Sequence, residues 1–432
     1  TARPGRLAAT SMPDPALPQT TAPAQGPAHE PAPAPAQSHT RALATVWFTL
    51  FLDLVSFGIV IPVLPFYAKS TGASEGVVAL LATAYSAAQF LMSPVLGRLS
   101  DRHGRRPVML ISIAGSTLAM LTLGFATSLW MLFLARIISG VCNANVSTAH
   151  AYVADRVPPA QRARYMGMMG TAVGVGFILG PSIGGLLSRE DFPQLPFFFA
   201  AALSLVNFLM AVVWLPESHR AAPASGPPKP RPSLWQVASD PAFWRGQIGV
   251  MVVVYLCFFG AFATMEATFA LFTEACFGWG AKETGKFFAF VGTIIVLFQG
   301  VVVGRAVASF GERRTLIAGL CMSAIGFTIL SLAPSSLFVP LGGIFIAGGN
   351  GLIMPSMSAL VSRNSTSEDQ GTNSGFSQSA GALGRILGPA LAGLLFELIG
   401  PRAPMASAAT IVLVVCLTVF ARVREPRPDV GR

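Results

Sequence analysis

Charge is scarce in this chain. Only 11% of its 432 residues are charged, against 53% hydrophobic. A water-soluble domain carries about 25% charged residues, so the shortage excludes an ordinary soluble globule and points to a chain surrounded by lipid. Cysteine is scarce too. Cys142, Cys257, Cys276, Cys321 and Cys416 all fall in or beside apolar segments, without C-x-x-C spacing. They read as small apolar fillers, which excludes a disulfide framework or a thiolate zinc site. No metal-ligand or nucleophile constellation is in view, so no metal, no cofactor and no enzymatic activity are expected. Residues 1–43 hold almost no large apolar side chain and no apolar core of a signal peptide. They are expected to form a disordered Pro/Ala-rich tail.

Long apolar runs are abundant. A helix needs about 20 mostly apolar residues to cross the hydrocarbon core. Twelve segments qualify and are numbered as spans 1 to 12: 44–68, 77–98, 107–127, 130–154, 164–188, 195–215, 246–273, 284–308, 314–333, 336–361, 371–397 and 403–421. The widest polar gap, 216–245, is basic and proline-rich. It divides the chain into a six-helix bundle at 44–215 and a second at 246–421, followed by a basic tail at 422–432.

The basic residues fix the orientation. With the N-terminus cytoplasmic, 22 Lys and Arg fall in the inner loops and tails, and five (Lys69, Arg189, Lys282, Lys286 and Arg402) fall outside. Both ends are therefore expected in the cytoplasm. The same placement accounts for the net charge of +10 without a nucleic-acid partner. Two soluble-enzyme motifs are misplaced. Gly72-Ala-Ser74-Glu-Gly76 is an outer loop with no strand leading into it. Gly280-Ala-Lys-Glu-Thr-Gly285-Lys286 lacks the Ser/Thr of a phosphate loop, since Phe287 stands there. Nothing reads as an ATP-hydrolysing domain, so an ion gradient or the substrate's own gradient is the expected driving force.

The two halves repeat. Span 5 carries Gly167, Gly176, Gly180-Pro181 and Gly184-Gly185; span 11 carries Gly375, Gly384, Gly388-Pro389 and Ala392-Gly393, offset by 208. Gly97-Arg98, Gly104 and Arg106 between spans 2 and 3 return as Gly304-Arg305, Gly311 and Arg313, offset by 207. Glycine lets membrane helices approach closely, and an interior proline is tolerated where neighbours re-satisfy the backbone. Matching helices in two halves suggest two bundles that move against each other around a shared site.

Ionisable groups inside the membrane are functional candidates by default. Asp53 on span 1 is expected to exchange a proton; the alternative is a carboxylate that only ties span 1 to a neighbour. Arg136 on span 4 is expected to act on that carboxylate, or else to form a permanent structural pair. Glu266 on span 7 and Arg385 on span 11 are close enough in depth to pair, for stability or for cation or proton binding. An unpaired Arg385 would instead favour an anionic or zwitterionic substrate. Glu274 and Glu397, near outer ends, are expected to be solvated, and His150 to be packing.

Several motifs carry a resemblance. The loop Gly97-Arg-Leu-Ser-Asp101-Arg-His-Gly104-Arg105-Arg106-Pro107 resembles the signature of the major facilitator superfamily. Arg136-Ile-Ile-Ser-Gly140, with Asp155 at the end of span 4, resembles its proton-linked motif, and the Gly167–Gly185 pattern its antiporter motif. Pro62-Val63-Leu64-Pro65 is similar to the signature of the twelve-helix drug–proton antiporters, with Ser56 where those usually carry Gly. Residues 84–108 and 271–279 look most like tetracycline–proton antiporters. Those exporters carry a carboxylate within span 3, and 107–127 has none.

The resemblance implies an all-α membrane protein with twelve transmembrane helices in two pseudo-symmetric six-helix bundles. It implies a central cavity lined by spans 1, 4, 7 and 10. Asn143, Asn145 and Asn350 are then candidate ligand contacts, with Phe57, Phe269 and Met354 offering apolar surface. Gln89, Gln299 and Gln378 are further polar positions within spans. Gly97, Asp101, Gly104, Arg105, Arg106 and Asp155 would form a cytoplasmic latch, Asp101 meeting the N-terminus of span 11 near Gly371. An Arg105–Asp155 link would break when the inner side opens. The expected function is proton-coupled export of a small, amphipathic compound, multidrug or tetracycline-like, by a monomer in a bacterial inner membrane. The alternatives are a symporter or uniporter for an anionic or zwitterionic metabolite, and a non-transporting receptor on the same fold.

Overall fold

Glycine sets the corners of this fold. Gly104 (φ 100°) separates span 2 from span 3 by a single residue, and Gly311 (φ 79°) separates span 8 from span 9 in the same way. A side chain with a Cβ is strained at such angles, so the 207-residue repeat read from the sequence is a repeat of backbone conformation. The arginines beside them repeat as well. Arg106 Nη2 donates to the Val212 carbonyl and Arg313 Nη2 to the Phe420 carbonyl, each at 2.7 Å. Arg98 donates to the Pro94 carbonyl and Arg305 to that of Val301.

The computed structural model describes residues 1, 36–143, 145–218, 239, 241–366 and 369–424, and every regular element among them is helical. Spans 1 to 3 are Ala36–Ser70, Glu75–His103 and Arg105–Gly124. Span 4 is broken into Leu129–Val141 and Asn145–Arg156, spans 5 and 6 are Pro159–Leu187 and Leu195–Trp214, and span 7 is Gln247–Phe277. Span 8 runs from Ala281 through a π-helical turn at Phe298–Val302 to Gly311, and span 9 ends at Leu332. Spans 10 to 12 are Phe338–Arg363, Gln370–Leu398 and Ala403–Arg422. The twelve helices form an integral membrane protein.

Two features of the helices differ from expectation. Span 1 starts at Ala36, so residues 36–43 are helical and not part of a tail; the rest of that tail call, residues 2–35, lies outside the described residues. Most of the expected linker (219–238) and of the final tail (425–432) also lie outside them. The break in span 4 was not expected. Asn143 and Asn145 flank it, and asparagine competes with the helix for backbone hydrogen bonds.

Close backbone contact organises the packing. A Cβ on Gly180 would fall 2.7 Å from the Gly58 Cα, and one on Gly58 would meet Pro181 at 2.9 Å. In the second half Gly388 and Gly384 press on Gly260 in the same manner. These pairs lock span 1 to span 5 and span 7 to span 11. Two more glycine contacts join the bundles. A Cβ on Gly185 would meet Ala281 O at 2.9 Å and Gly285 Cα at 3.2 Å, and one on Gly393 would meet Ala79 at 2.9 Å and Gly76 Cα at 3.0 Å.

All these inter-bundle contacts lie at the end away from the arginine-rich loops. Toward the arginine-rich end, Gly97, Gly167, Gly170, Gly300, Gly304, Gly371 and Gly375 of spans 2, 5, 8 and 11 have open space where a Cβ would stand. The apolar core follows the same division. One cluster joins the closed half of the first bundle to the second bundle over its whole depth, and the arginine-rich half of the first bundle has a separate core around Leu50, Ile113 and Tyr152. The bundles are sealed at one end and parted at the other.

Polar ties complete the seal. Lys69 pairs with Glu274 of the other bundle at 2.9 Å and with Glu75 at 3.6 Å. Glu397 reaches across to accept from Ser74 Oγ at 2.5 Å and from the Gly76 amide at 2.9 Å, capping the start of span 2. Glu397 is exposed, as expected, and Glu274 is half-buried, and both are in addition inter-bundle ties.

Two outcomes follow. Gly180→Ala should lower the stability of the purified protein by about 1–3 kcal/mol through overpacking, read as a lowered thermal midpoint, whereas Gly375→Ala at an open position should not. Glu397→Gln should raise, several-fold, the labelling of a cysteine placed at Ala79 by an impermeant maleimide added on the sealed side; unchanged labelling would contradict the tie.

Candidate functional site

The break in span 4 lies beside a group of intramembrane charges. Asp53 is 7% exposed and accepts a long hydrogen bond from Ser116 of span 3 at 3.5 Å. Asn145 lies beside the same carboxyl group, and both of its amide atoms are buried without a well-formed hydrogen bond. On the other side of the break Asn143 donates to the Tyr85 hydroxyl at 2.5 Å.

Tyr85 is the centre. The Arg136 guanidinium sits 4.8 Å from the centre of its ring, a cation–π contact made stronger by desolvation. The Phe57 ring lies 5.5 Å away on span 1, and Phe177 of span 5 lies 6.3 Å beyond Phe57. All four charged groups, Arg136, Asp53, Glu266 and Arg385, act electrostatically on Tyr85. Three elements of the first bundle and two of the second thus converge on one phenol. Sequence reading missed it. The available signal was a tyrosine in the middle of an apolar span, far from the interfacial belts where tyrosine concentrates.

The pairings differ from those expected. Arg136 lies on the neutral Tyr85 ring, and the carboxylate acting on it is Glu266 of the opposite bundle, not Asp53. Glu266 acts on both Arg385 and Arg136, but among the described residues no ion pair within 4.0 Å joins it to either. Arg385 instead stacks on Phe259 at 4.7 Å. Arg136 is 6% exposed, and its Nε and Nη1 groups have no hydrogen-bond partner.

The remaining candidates are scattered. Phe269 has no exposed surface and stacks on Phe287 at 4.2 Å within an aromatic core, so it packs the second bundle here and offers no ligand surface. Gln89, Asn350 and Met354 are half-buried, and Gln299 and Gln378 are exposed. Gln299 lies in the π-helical turn of span 8, a distortion that often marks functional positions. His150 is exposed.

The loop residues form a chain within the first bundle. Arg105 binds Asp101 at 2.6 Å and Asp155 at 2.9 Å. Asp101 is exposed and pairs with Arg105 of its own bundle, and a Cβ on Gly371 would meet nothing within 4 Å, so the expected contact between Asp101 and the start of span 11 is not seen among the described residues. The Arg105–Asp155 link, expected to break on opening, is intact at the parted end because both partners belong to one bundle. The second half has the same bridge with charges exchanged: Glu312 and Arg363, at the positions equivalent to Arg105 and Asp155, pair at 2.8 Å. Of the span 5 motif, Gly176, Gly180, Pro181, Gly184 and Gly185 make backbone contacts, and Gly167 faces open space.

Comparison with known proteins agrees with this architecture. The Major Facilitator Superfamily model matches residues 46–306 and 295–432. The chain is 33% identical over 356 residues to the class C tetracycline resistance protein of Escherichia coli, covering 81% of this chain and 88% of that one. It is 29% identical over 358 residues to multidrug resistance protein 2 of Bacillus subtilis, covering 81% and 87%. Among solved structures it resembles the human organic anion transporter MFSD10, with a TM-score of 0.67 at 24% identity over 88% of this chain and 99% of that one. Its fold is also that of the nucleoside transporter NupG, with a TM-score of 0.71 at 15% identity over 89% and 99%. With twelve helices in two repeated bundles, and a family match that spans nearly all of them, the chain belongs to the major facilitator superfamily of membrane transporters.

Proposed function

We propose that the protein is a proton-coupled exporter of a small amphipathic compound, working by alternating access. The observation that carries this reading is the convergence of Asp53, Arg136, Glu266 and Arg385, from both bundles, on Tyr85. Charges inside a bilayer are costly and are retained where they bind an ion or a substrate. A receptor or scaffold on the same fold has little reason to bear that cost. Resemblance to proteins named for tetracycline and multidrug resistance supports an exported, largely apolar substrate.

In this reading Asp53 carries the proton. Its carboxyl group is held by Ser116 and lies beside Asn145, at the break in span 4. Substrate would enter from the parted end, between spans 2, 5, 8 and 11, and meet Phe57, Gln89, Asn143, Asn145 and Tyr85 from the first bundle. Gln299, Asn350, Met354 and Gln378 would complete the path from the second. The excess of arginine in those loops supports a cytoplasmic position for the parted end; both termini would lie there, with the inner membrane of a bacterium as the setting. The Asp101–Arg105–Asp155 chain would dock on span 11 only when that end closes, and one chain would suffice for the cycle.

The test uses inverted vesicles. Adding a transported compound under an imposed pH difference should release protons from the lumen, and Asp53→Asn should reduce this coupled flux by about 100-fold or more. Wild-type coupling in Asp53→Asn would contradict the role. Asp101→Ala should slow turnover strongly while leaving equilibrium binding of the same compound intact; normal turnover would rule out the docking step.

A further inference from the structure

The two guanidinium groups at the site share a single carboxylate. Arg136 comes from the first bundle and Arg385 from the second, and the carboxylate of Glu266 acts electrostatically on each. Glu266 forms no ion pair within 4.0 Å with either one. Both guanidinium groups lie against aromatic faces, Arg136 on Tyr85 at 4.8 Å and Arg385 on Phe259 at 4.7 Å. The Tyr85 hydroxyl accepts from Asn143, not from Arg136.

Asp53 is held by Ser116 and Asn145 and pairs with neither guanidinium, so Glu266 alone is shared between the two, and donors on Arg136 are left orphaned. Arg136, 6% exposed, has its Nε and Nη1 groups without partners, and Asn145, also on span 4, is turned to Asp53 and does not supply acceptors. A buried guanidinium with unmade hydrogen bonds is expensive unless something supplies acceptors. An acceptor-rich anion fits these donors, and the planar faces of Tyr85, Phe57 and Phe259 fit an apolar ring system beside it. An ammonium group does not fit, because it would meet two guanidinium groups across one carboxylate.

We propose that the region between Arg136 and Arg385 is the subsite for a negatively charged group of the substrate, a carboxylate or a delocalised enolate or phenolate on an apolar body. The subsite spans the seam between the bundles, so an anion held there ties both halves together, and Glu266 competes with it for the same guanidinium groups. This rests on the reading that the group around Tyr85 is the transport site.

The test is a set of three matched probes, pyrenebutyrate, pyrenebutanol and pyrenebutylamine, titrated against the purified full-length protein in nanodiscs by fluorescence. The carboxylate should bind at least about tenfold more tightly than the alcohol, as charge-assisted hydrogen bonds require, and more tightly than the amine. Arg136→Gln and Arg385→Gln should each remove most of this preference while leaving the alcohol's affinity in place, and Arg136→Lys should retain part of it. Glu266→Gln should strengthen carboxylate binding. No preference, a preference for the amine, or no binding of any of the three would overturn the subsite.

Proton movement is read separately, in inverted vesicles with the same probes. Exchange of the amine for protons as readily as the carboxylate would discard the anion subsite and keep proton-coupled export. Selective carboxylate binding with no proton movement would keep the subsite and discard the coupling.

Discussion

Backbone-to-backbone contact at glycine is the constraint on which this molecule depends. Gly58 against Gly180, and Gly260 against Gly384 and Gly388, bring helices closer than any side chain would permit. Lipid gives no hydrophobic drive for helices to associate, so such close packing is a main source of cohesion within each bundle. The contacts between bundles use the same chemistry at fewer points: Gly185 on Ala281 and Gly285, and Gly393 on Gly76 and Ala79. Each bundle is therefore held along its length, and the seam between them only over one half. A structure joined so unevenly is suited to pivot as two rigid bodies.

The charges complement this mechanical plan. At the sealed end Lys69, Glu274 and Glu397 are partly exposed and their ties are of the modest kind that water and salt can replace. At the site Asp53 and Arg136 are buried, Glu266 and Arg385 are half-buried, and the pairings are incomplete, with Glu266 acting on two guanidinium groups and forming an ion pair with neither. Strong closed pairs would hold one conformation, whereas unfilled donors on Arg136 leave binding energy for an acceptor group of a substrate. The loop bridges Arg105–Asp155 and Glu312–Arg363 stay within their own bundles and stiffen them. Their reversed polarity also means that the two inner ends present unlike charges in like positions.

Much of the architecture was legible from the sequence. The apolar runs gave all twelve helices, because the length of a span is dictated by the bilayer and not by distant contacts. Gly104 and Gly311 were visible as a repeat, and their left-handed backbone explains why glycine stands at both. The site was only half legible. A buried charge such as Asp53 or Arg385 stands out against an apolar run, but its partner is chosen by helix rotation and depth, which periodicity does not fix. Thus Arg136 was assigned to Asp53 and is found on Tyr85, and Phe269 was assigned to a ligand and is found on Phe287. The break at Asn143 and Asn145 was obscured because the strongly apolar first half of the run from 130 to 154 carries the whole stretch past the length of a span, although Asn143, Asn145, Ser147, Thr148 and His150 make its second half polar. Glu274 and Glu397 look like any surface carboxylate until the other bundle is laid against them.

The claim that one seam opens as the other closes is tested most directly by spin-label distance measurements in nanodiscs, on a background cleared of native cysteines. One label pair would sit at Gly72 and Leu398 on the sealed end, and another at Arg102 and Ser309 on the parted end. As pH is lowered, the first distance should lengthen while the second shortens, in proportion, and Asp53→Asn should abolish the response. Distances that stay fixed across pH, or that lengthen together at both ends, would contradict the account.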